Sequence, residues 1–314
     1  QRVCVVGANG FIGSHIVKDL LMHNYNVVAT TRKEPSDSKV SWLTNLPKLT
    51  SRDSNSVSLL QADPNISGSL DSALVDCTGC IIAFGINDPA YPEWVDEMVQ
   101  ATKNVTASCE KNKVNVVVLL TSTGTTNPPT GEPEFKREDE HFSDPDLQKK
   151  QGKFASCAKT LAERTLFDWG KQTGTRTVAI CPSAVIGPRL DESQEQPHDF
   201  LLRLLTGERK WERAPNGSMS FIHVSDLARL HVAALSNSEA SGRFFGVCDN
   251  SSPFFVVGQL LQKHWPSFEA PAPPEGELVR PTHFDFTKQK TLGVECRKLD
   301  EIIGQHVSWL QDAG

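Results

Sequence analysis

The stretch RVCVVGANGFIGSH, Arg2 to His15, decides how the chain folds. Arg2 to Val6 is an apolar run of strand length, and Gly7, Gly10 and Gly13 follow it in a G-x-x-G-x-x-G series. A helical pattern then runs from Gly13 to His23. Glycine allows a tight turn in which backbone N–H groups come close to a bound group, and a helix N-terminus favours negative charge. Strand, glycine turn and amphipathic helix in that order predict the pyrophosphate-binding corner of a Rossmann βαβ unit. Gly7, Asn9, Gly10, Phe11, Ile12 and Gly13 are the expected dinucleotide contacts at this corner.

Outward from this corner, short apolar strands alternate with helical segments. Strands are expected at Val27 to Thr31, Val57 to Ala62, Gly79 to Gly85, Asn115 to Thr121 and Thr175 to Cys181. Helices are expected at Pro92 to Lys111, Phe154 to Gln172, around His198 to Thr206, and after Ser225-Asp226, where an N-cap pattern stands before LARLHVAAL. The polar, proline-rich segment from Asn127 to Lys150 reads as one long loop, and Pro266 to Pro281 as irregular chain. Near-continuous apolar strands separated by helices predict an α/β fold, a doubly wound and mostly parallel sheet of about seven strands. The expected division is a Rossmann domain over 1–182, to which the strand and helix near 220–248 return, and a smaller substrate lobe in 183–314.

Composition bounds the function. The 314 residues carry a formal net charge of -6, which argues against a general nucleic-acid binder. The longest apolar runs are strand-sized, so no membrane span is expected. Eight cysteines are scattered, and the Cys77–Cys80 pair lacks the second pair that a zinc site needs. Sequons at Asn65, Asn104, Asn216 and Asn250 carry no expectation of glycosylation in this context. The default compartment is the cytoplasm, or an organelle if a targeting segment has been removed.

Cofactor choice is read at the end of the second strand. There the sequence is Thr31-Arg32-Lys33, with no acidic residue until Glu34. An acidic residue at this point suits the ribose hydroxyls of NAD, whereas an arginine suits the 2′-phosphate of NADP. Arg32 and Lys33 therefore predict NADP, and Asp63, just after the third strand, is a candidate partner of the adenine ring.

The glycine signature, Thr121-Ser122-Thr123-Gly124, AKTLAER (Ala158 to Arg164), CPSAVIGP (Cys181 to Pro188) and FIHVSDLARLHVAAL (Phe221 to Leu235) occur in that order. Together they resemble the extended short-chain dehydrogenase/reductases, most of all the dihydroflavonol, anthocyanidin and cinnamoyl-CoA reductase group, over essentially the whole chain. The resemblance implies reduction of a carbonyl by hydride transfer from NADPH. It assigns Ser122 as the carbonyl-binding serine and Lys159 as the lysine that holds the nicotinamide ribose. It further implies cofactor contacts at Ala83, Phe84 and Gly85 and a nicotinamide border at Pro182, Ser183 and Val185. The substrate region it implies spans Thr125 to Phe142, Ile186 to Trp211 and Pro253 to Pro281, with His198, Phe200, Trp211 and His223 as candidate lining residues.

One position departs from the pattern. The family's proton-donating tyrosine stands four residues before the lysine, on the same helical face. Here that residue is Ala155, and the only tyrosines, Tyr25 and Tyr91, lie elsewhere. Three readings stay open. Another donor serves, among Ser122, Ser156, Cys157, His141, Lys159 and water, although Ser156 and Cys157 point about 100° and 200° round the helix from the empty position. Alternatively, the chain is a non-catalytic NADPH-binding structural or regulatory subunit of a larger assembly, or the alanine is an introduced substitution. The partners expected are thus a small carbonyl substrate or none, with a homodimer or a larger complex open.

Overall fold

The computed structural model describes residues 1–85, 91–194 and 200–312. Strand β1 (Arg2–Val6) leads through the glycine turn into helix α1 (Phe11–Met22), and β2 (Asn26–Thr31) returns parallel to β1. Two single-turn helices, α2 (Ser38–Ser41) and α3 (Leu46–Leu49), precede β3 (Val57–Gln61). Next come β4 (Gly79–Ile82), α4 (Trp94–Lys111) and β5 (Val116–Leu120). After them stand α5 (Pro145–Lys150), α6 (Phe154–Thr173) and β6 (Arg176–Pro182). Past β6 lie β7 (Ala184–Ile186), α7 (Phe200–Leu205), β8 (Ser218–Met219), β9 (Phe221–His223) and α8 (Val224–Ser236). The chain closes with β10 (Gly242–Gly246), β11 (Ser252–Pro253), α9 (Phe254–His264), α10 (Thr287–Lys290) and α11 (Leu299–Asp312).

Seven strands make one sheet in the order β10-β6-β5-β4-β1-β2-β3, and every pairing in it is parallel. Strand order reverses between β1 and β4, so a crevice opens beyond their carboxyl ends, the usual ligand position in such sheets. Register explains the apolar runs. Val5, Ile81, Val118 and Val178 stand side by side across four strands and are fully buried on the face covered by α1 and α8. Each such side chain contributes about 1.5–3 kcal/mol of burial. On the opposite face, beneath α4 and α6, Cys4, Cys80 and Val117 form the equivalent row. Cysteine behaves there as a small hydrophobe: all eight are free thiols, and burial pushes the Cys77 thiol up to about 12.

Helix α5 corrects the expectation of a single loop from Asn127 to Lys150. Its Pro145 occupies the first helical turn, where a missing N–H costs nothing, and Asp144 caps it by accepting the N–H groups of Asp146 and Leu147. The residues read as loop punctuation are the helix's own start signal. Beyond the sheet, a second core gathers α7, α9 and α11 around Leu201, Phe221, Val257, Leu261, Ile302 and Ile303.

Candidate functional site

The glycine turn is shaped by close approaches that only glycine permits. Gly7 adopts a positive φ of 82°, and a Cβ there would lie 3.0 Å from the Phe84 backbone at the end of β4. A Cβ on Gly13 would lie 2.2 Å from the Gly7 carbonyl oxygen. The turn therefore packs tightly enough to bring the start of α1 to the crevice. Gly10 caps α1 without any side-chain hydrogen bond, so the first-turn N–H groups of Phe11, Ile12 and Gly13 remain for an anion. This cradle fits a pyrophosphate.

A groove runs from the turn along the ends of β2, β3 and β4. Gly7, Asn9 and Gly10 line one end, and Ala83, Phe84 and Gly85 line the side next to β4. Arg32 is exposed in its wall, and its guanidinium makes no hydrogen bond or ion pair with any described residue. Lys33 does not line the groove. Its ammonium instead pairs with Asp37 at 3.2 Å, four residues on. Asp63 Oδ1 accepts the N–H of Asn65 at 2.9 Å, and its neighbours Ala62, Pro64 and Asn65 line the groove. Trp94, Glu97 and Met98 close the far wall from the first turns of α4. No sequence signal marks them, because their part in the groove depends on how α4 packs.

Behind Phe84, in the groove wall next to β4, stands Lys159, nine-tenths buried on α6. Its Nζ donates to the carbonyl oxygens of Leu120 at 2.9 Å and Phe84 at 3.3 Å, so it bridges the ends of β5 and β4. Burial lowers its pKa to about 8. Ser122 caps the short turn after β5 by accepting the Gly124 N–H at 3.1 Å, which leaves its own O–H free to donate. Ala155 is half-buried one helical turn before Lys159. Lys159 thus holds the chain two residues before Ser122, and residue 155 shares its face of α6 through the i, i+4 spacing.

The other donors are sorted by geometry. Cys157 is buried against α5, its thiol on the Pro145 carbonyl oxygen at 3.3 Å, and burial raises its pKa. His141 uses Nδ1 to accept the Arg137 N–H at 2.9 Å within its own loop. Ser156, expected about 100° off the face of residue 155, lies against the turn after β5. A Cβ on Gly124 would come within 2.6 Å of the Ser156 Oγ and 3.4 Å of the Ser122 Oγ.

The wall beyond β6 is held by contacts that the sequence does not announce. Gln194 is buried and its Nε2 donates to Asn9 O at 3.3 Å, Gly10 O at 3.2 Å and Ser14 Oγ at 2.8 Å. Its Oε1 accepts the N–H groups of Leu190 and Asp191. His15, on α1, reaches the Pro188 carbonyl oxygen at 3.0 Å, and burial lowers its pKa to about 4. The segment from Pro188 to Gln194 is therefore strapped to the glycine turn. Pro182 is buried at the end of β6, while Ser183 and Val185 are half-buried beside β7. Phe200 and Trp211 pack on each other, ring centroids 5.7 Å apart, within the second core. His223 is buried and caps α8 by accepting the Ser225 N–H. These three side chains have structural work. His198 lies outside the described residues.

Residues 3–248 match the model of the NAD dependent epimerase/dehydratase family, and the chain belongs to that family. Within it, the resemblance to the extended short-chain dehydrogenase/reductases is borne out. The chain is 30% identical to cinnamoyl-CoA reductase 1 of Oryza sativa subsp. japonica, over 100% of this chain and 91% of that protein. It is 29% identical to tetraketide alpha-pyrone reductase 1 of Arabidopsis thaliana, over 100% and 96%. The fold matches that of vestitone reductase from alfalfa (Medicago sativa L.), with a TM-score of 0.81 and 24% identity, over 100% of this chain and 99% of that one. A yeast methylglyoxal/isovaleraldehyde reductase complexed with NADPH matches equally, at TM-score 0.81 and 20% identity over 100% and 99%. Among the described residues no helix is long and apolar enough to cross a membrane.

Proposed function

We propose that the chain binds NADPH and reduces an aldehyde or ketone of a bulky metabolite, more slowly than a family member that keeps the tyrosine. The observation that carries this reading is the buried Lys159, whose Nζ is bonded to Phe84 in the wall of a groove that starts at the glycine cradle, and to Leu120, two residues before Ser122. NADPH, when bound, supplies the hydride. The first-turn N–H groups of α1 hold its pyrophosphate, and Arg32 holds the 2′-phosphate with charge-assisted hydrogen bonds. Lys159 is placed to exchange a backbone carbonyl for the ribose hydroxyls, and Ser122 offers its O–H to the substrate oxygen. The names of the relatives, reductases acting on carbonyl compounds, support the same chemistry.

The experiment is a titration of tryptophan fluorescence with NADPH and with NADH, followed by NADPH oxidation against a panel of aldehydes and ketones. NADPH should bind about tenfold or more tightly than NADH, and at least one carbonyl compound should be reduced. Equal affinity for the two nucleotides overturns the choice of NADP. Tight NADPH binding without turnover of any carbonyl favours the second reading, a non-catalytic NADPH-binding subunit, for which Ala155 is the specific observation.

A further inference from the structure

We propose that Ser156 is a catalytic residue which, with Ser122, binds the substrate's carbonyl oxygen and passes it a proton, doing by a hydroxyl on the next residue what a tyrosine at 155 would do. The inference rests on the reductase reading above.

Both hydroxyls border the Cα of Gly124. A Cβ at that position would come within 2.6 Å of the Ser156 Oγ and 3.2 Å of its Cβ, so glycine is what lets the two serines share the space. The Ser122 oxygen is already an acceptor, for the Gly124 N–H, and its proton points elsewhere. The Ser156 hydroxyl makes no hydrogen bond with any described residue; only its backbone oxygen is used, by Thr160. It is half-buried, hence both reachable and partly shielded from water. Ser156 also precedes Lys159 by three residues, a spacing that keeps the two on neighbouring sides of α6, about 60° apart. The ammonium there favours negative charge on the substrate oxygen. Cys157 and His141 are committed to other partners, and Lys159 donates to two carbonyls.

The step balances. As hydride joins the carbonyl carbon, the C=O π pair moves onto oxygen. That oxygen takes the Ser156 proton, and the serine is reprotonated by water. An aliphatic hydroxyl is a far weaker acid than a phenol, so hydride addition must carry more of the work, and it does so best when the carbonyl is electron-poor. The substrate class is therefore activated carbonyls.

The test uses 4-nitrobenzaldehyde and 4-methoxybenzaldehyde as probes, with NADPH affinity measured alongside. The wild type should reduce the nitro compound faster by about tenfold or more. Ser156→Ala should lower that turnover about 10- to 100-fold with NADPH affinity unchanged, and Ser156→Thr, which keeps the hydroxyl, should retain most of it. In the Ala155→Tyr background Ser156→Ala should cost little. Ser156→Ala turning over at the wild-type rate, or Ser156→Thr failing as badly as alanine while folded, overturns the assignment. A wild type that binds NADPH yet reduces neither probe also overturns it. Failure to bind NADPH at all defeats the underlying reading instead.

Discussion

The Nζ of Lys159 lies 2.9 Å from the carbonyl oxygen of Leu120, the last residue of β5. The contact keeps an ammonium buried beside the groove, at a cost seen in its pKa of about 8. Replacing it by a side chain of similar shape without charge removes both the cost and the grip on nucleotide. Lys159→Met should raise the dissociation constant for NADPH about tenfold or more while leaving the melting temperature unchanged or higher. Calorimetric titration and a thermal melt of the same sample check the two halves. A melt lowered by many degrees would mean that the lysine is holding β4 and β5 together instead.

Arg32 is the one described cation in the groove wall with no partner of its own at the end of β2. Arg32→Ala should weaken NADPH about 10- to 100-fold and leave NADH unchanged. The loss should shrink as salt rises, since the contact is exposed. Lys33→Ala, whose ammonium is spent on Asp37, should have the smaller effect.

Gly13→Ala would place a methyl carbon 2.2 Å from the Gly7 carbonyl oxygen. The neighbour is backbone and cannot swing away, so the turn itself must shift. Stability should fall by about 1–3 kcal/mol, and nucleotide binding should be lost even in molecules that remain folded. Urea unfolding combined with a binding titration separates the two losses. Unaltered affinity would refute the cradle.

Residue 155 offers the most informative gain. Lost general-acid catalysis typically costs a factor of about 100 to 10,000, and Ala155→Tyr should recover a large part of it. Single-turnover measurements on an aldehyde substrate would read the change directly. No gain would place the rest of the site, rather than the missing phenol, at fault.

Glu163, one turn beyond Lys159, is buried with Arg243 at 3.5 Å and Thr125 Oγ1 at 3.0 Å. Burial raises its pKa from 4.5 to about 7, with Arg243 opposing. A folded pKa above the unfolded one means that the folded state binds more protons between those values. Its contribution to stability is then full below about 4.5 and declines as pH rises through about 7. The decline can reach about 1.4 kcal/mol per pH unit. Unfolding free energies over that window should flatten in Glu163→Gln relative to the wild type, and parallel curves would contradict the assignment.

Much of this was written locally. The glycine turn, the arginine after β2 and the i, i+4 lysine are spaced motifs; the glycines and Arg32 line the groove, and Lys159 bonds Phe84 in its wall. Asp63 was less legible, because an aspartate after a strand also serves its own turn, as its bond to Asn65 shows. Ser156 was less legible for a different reason. A helical wheel gives its angle, but only the tertiary course of the chain after β5 decides what it faces. Gln194 was invisible, since its partners Asn9, Gly10 and Ser14 lie some 180 residues away and nothing in a lone loop glutamine reports them.

That single amide has a kinetic consequence. The side chain that ends the strap, Gln194, also holds the glycine turn through Asn9 and Gly10. Any shift of this strap must break the bonds that tie it to the glycine turn. Gln194→Leu, which removes those donors, should loosen the turn and shorten the residence time of NADPH more than it slows its arrival.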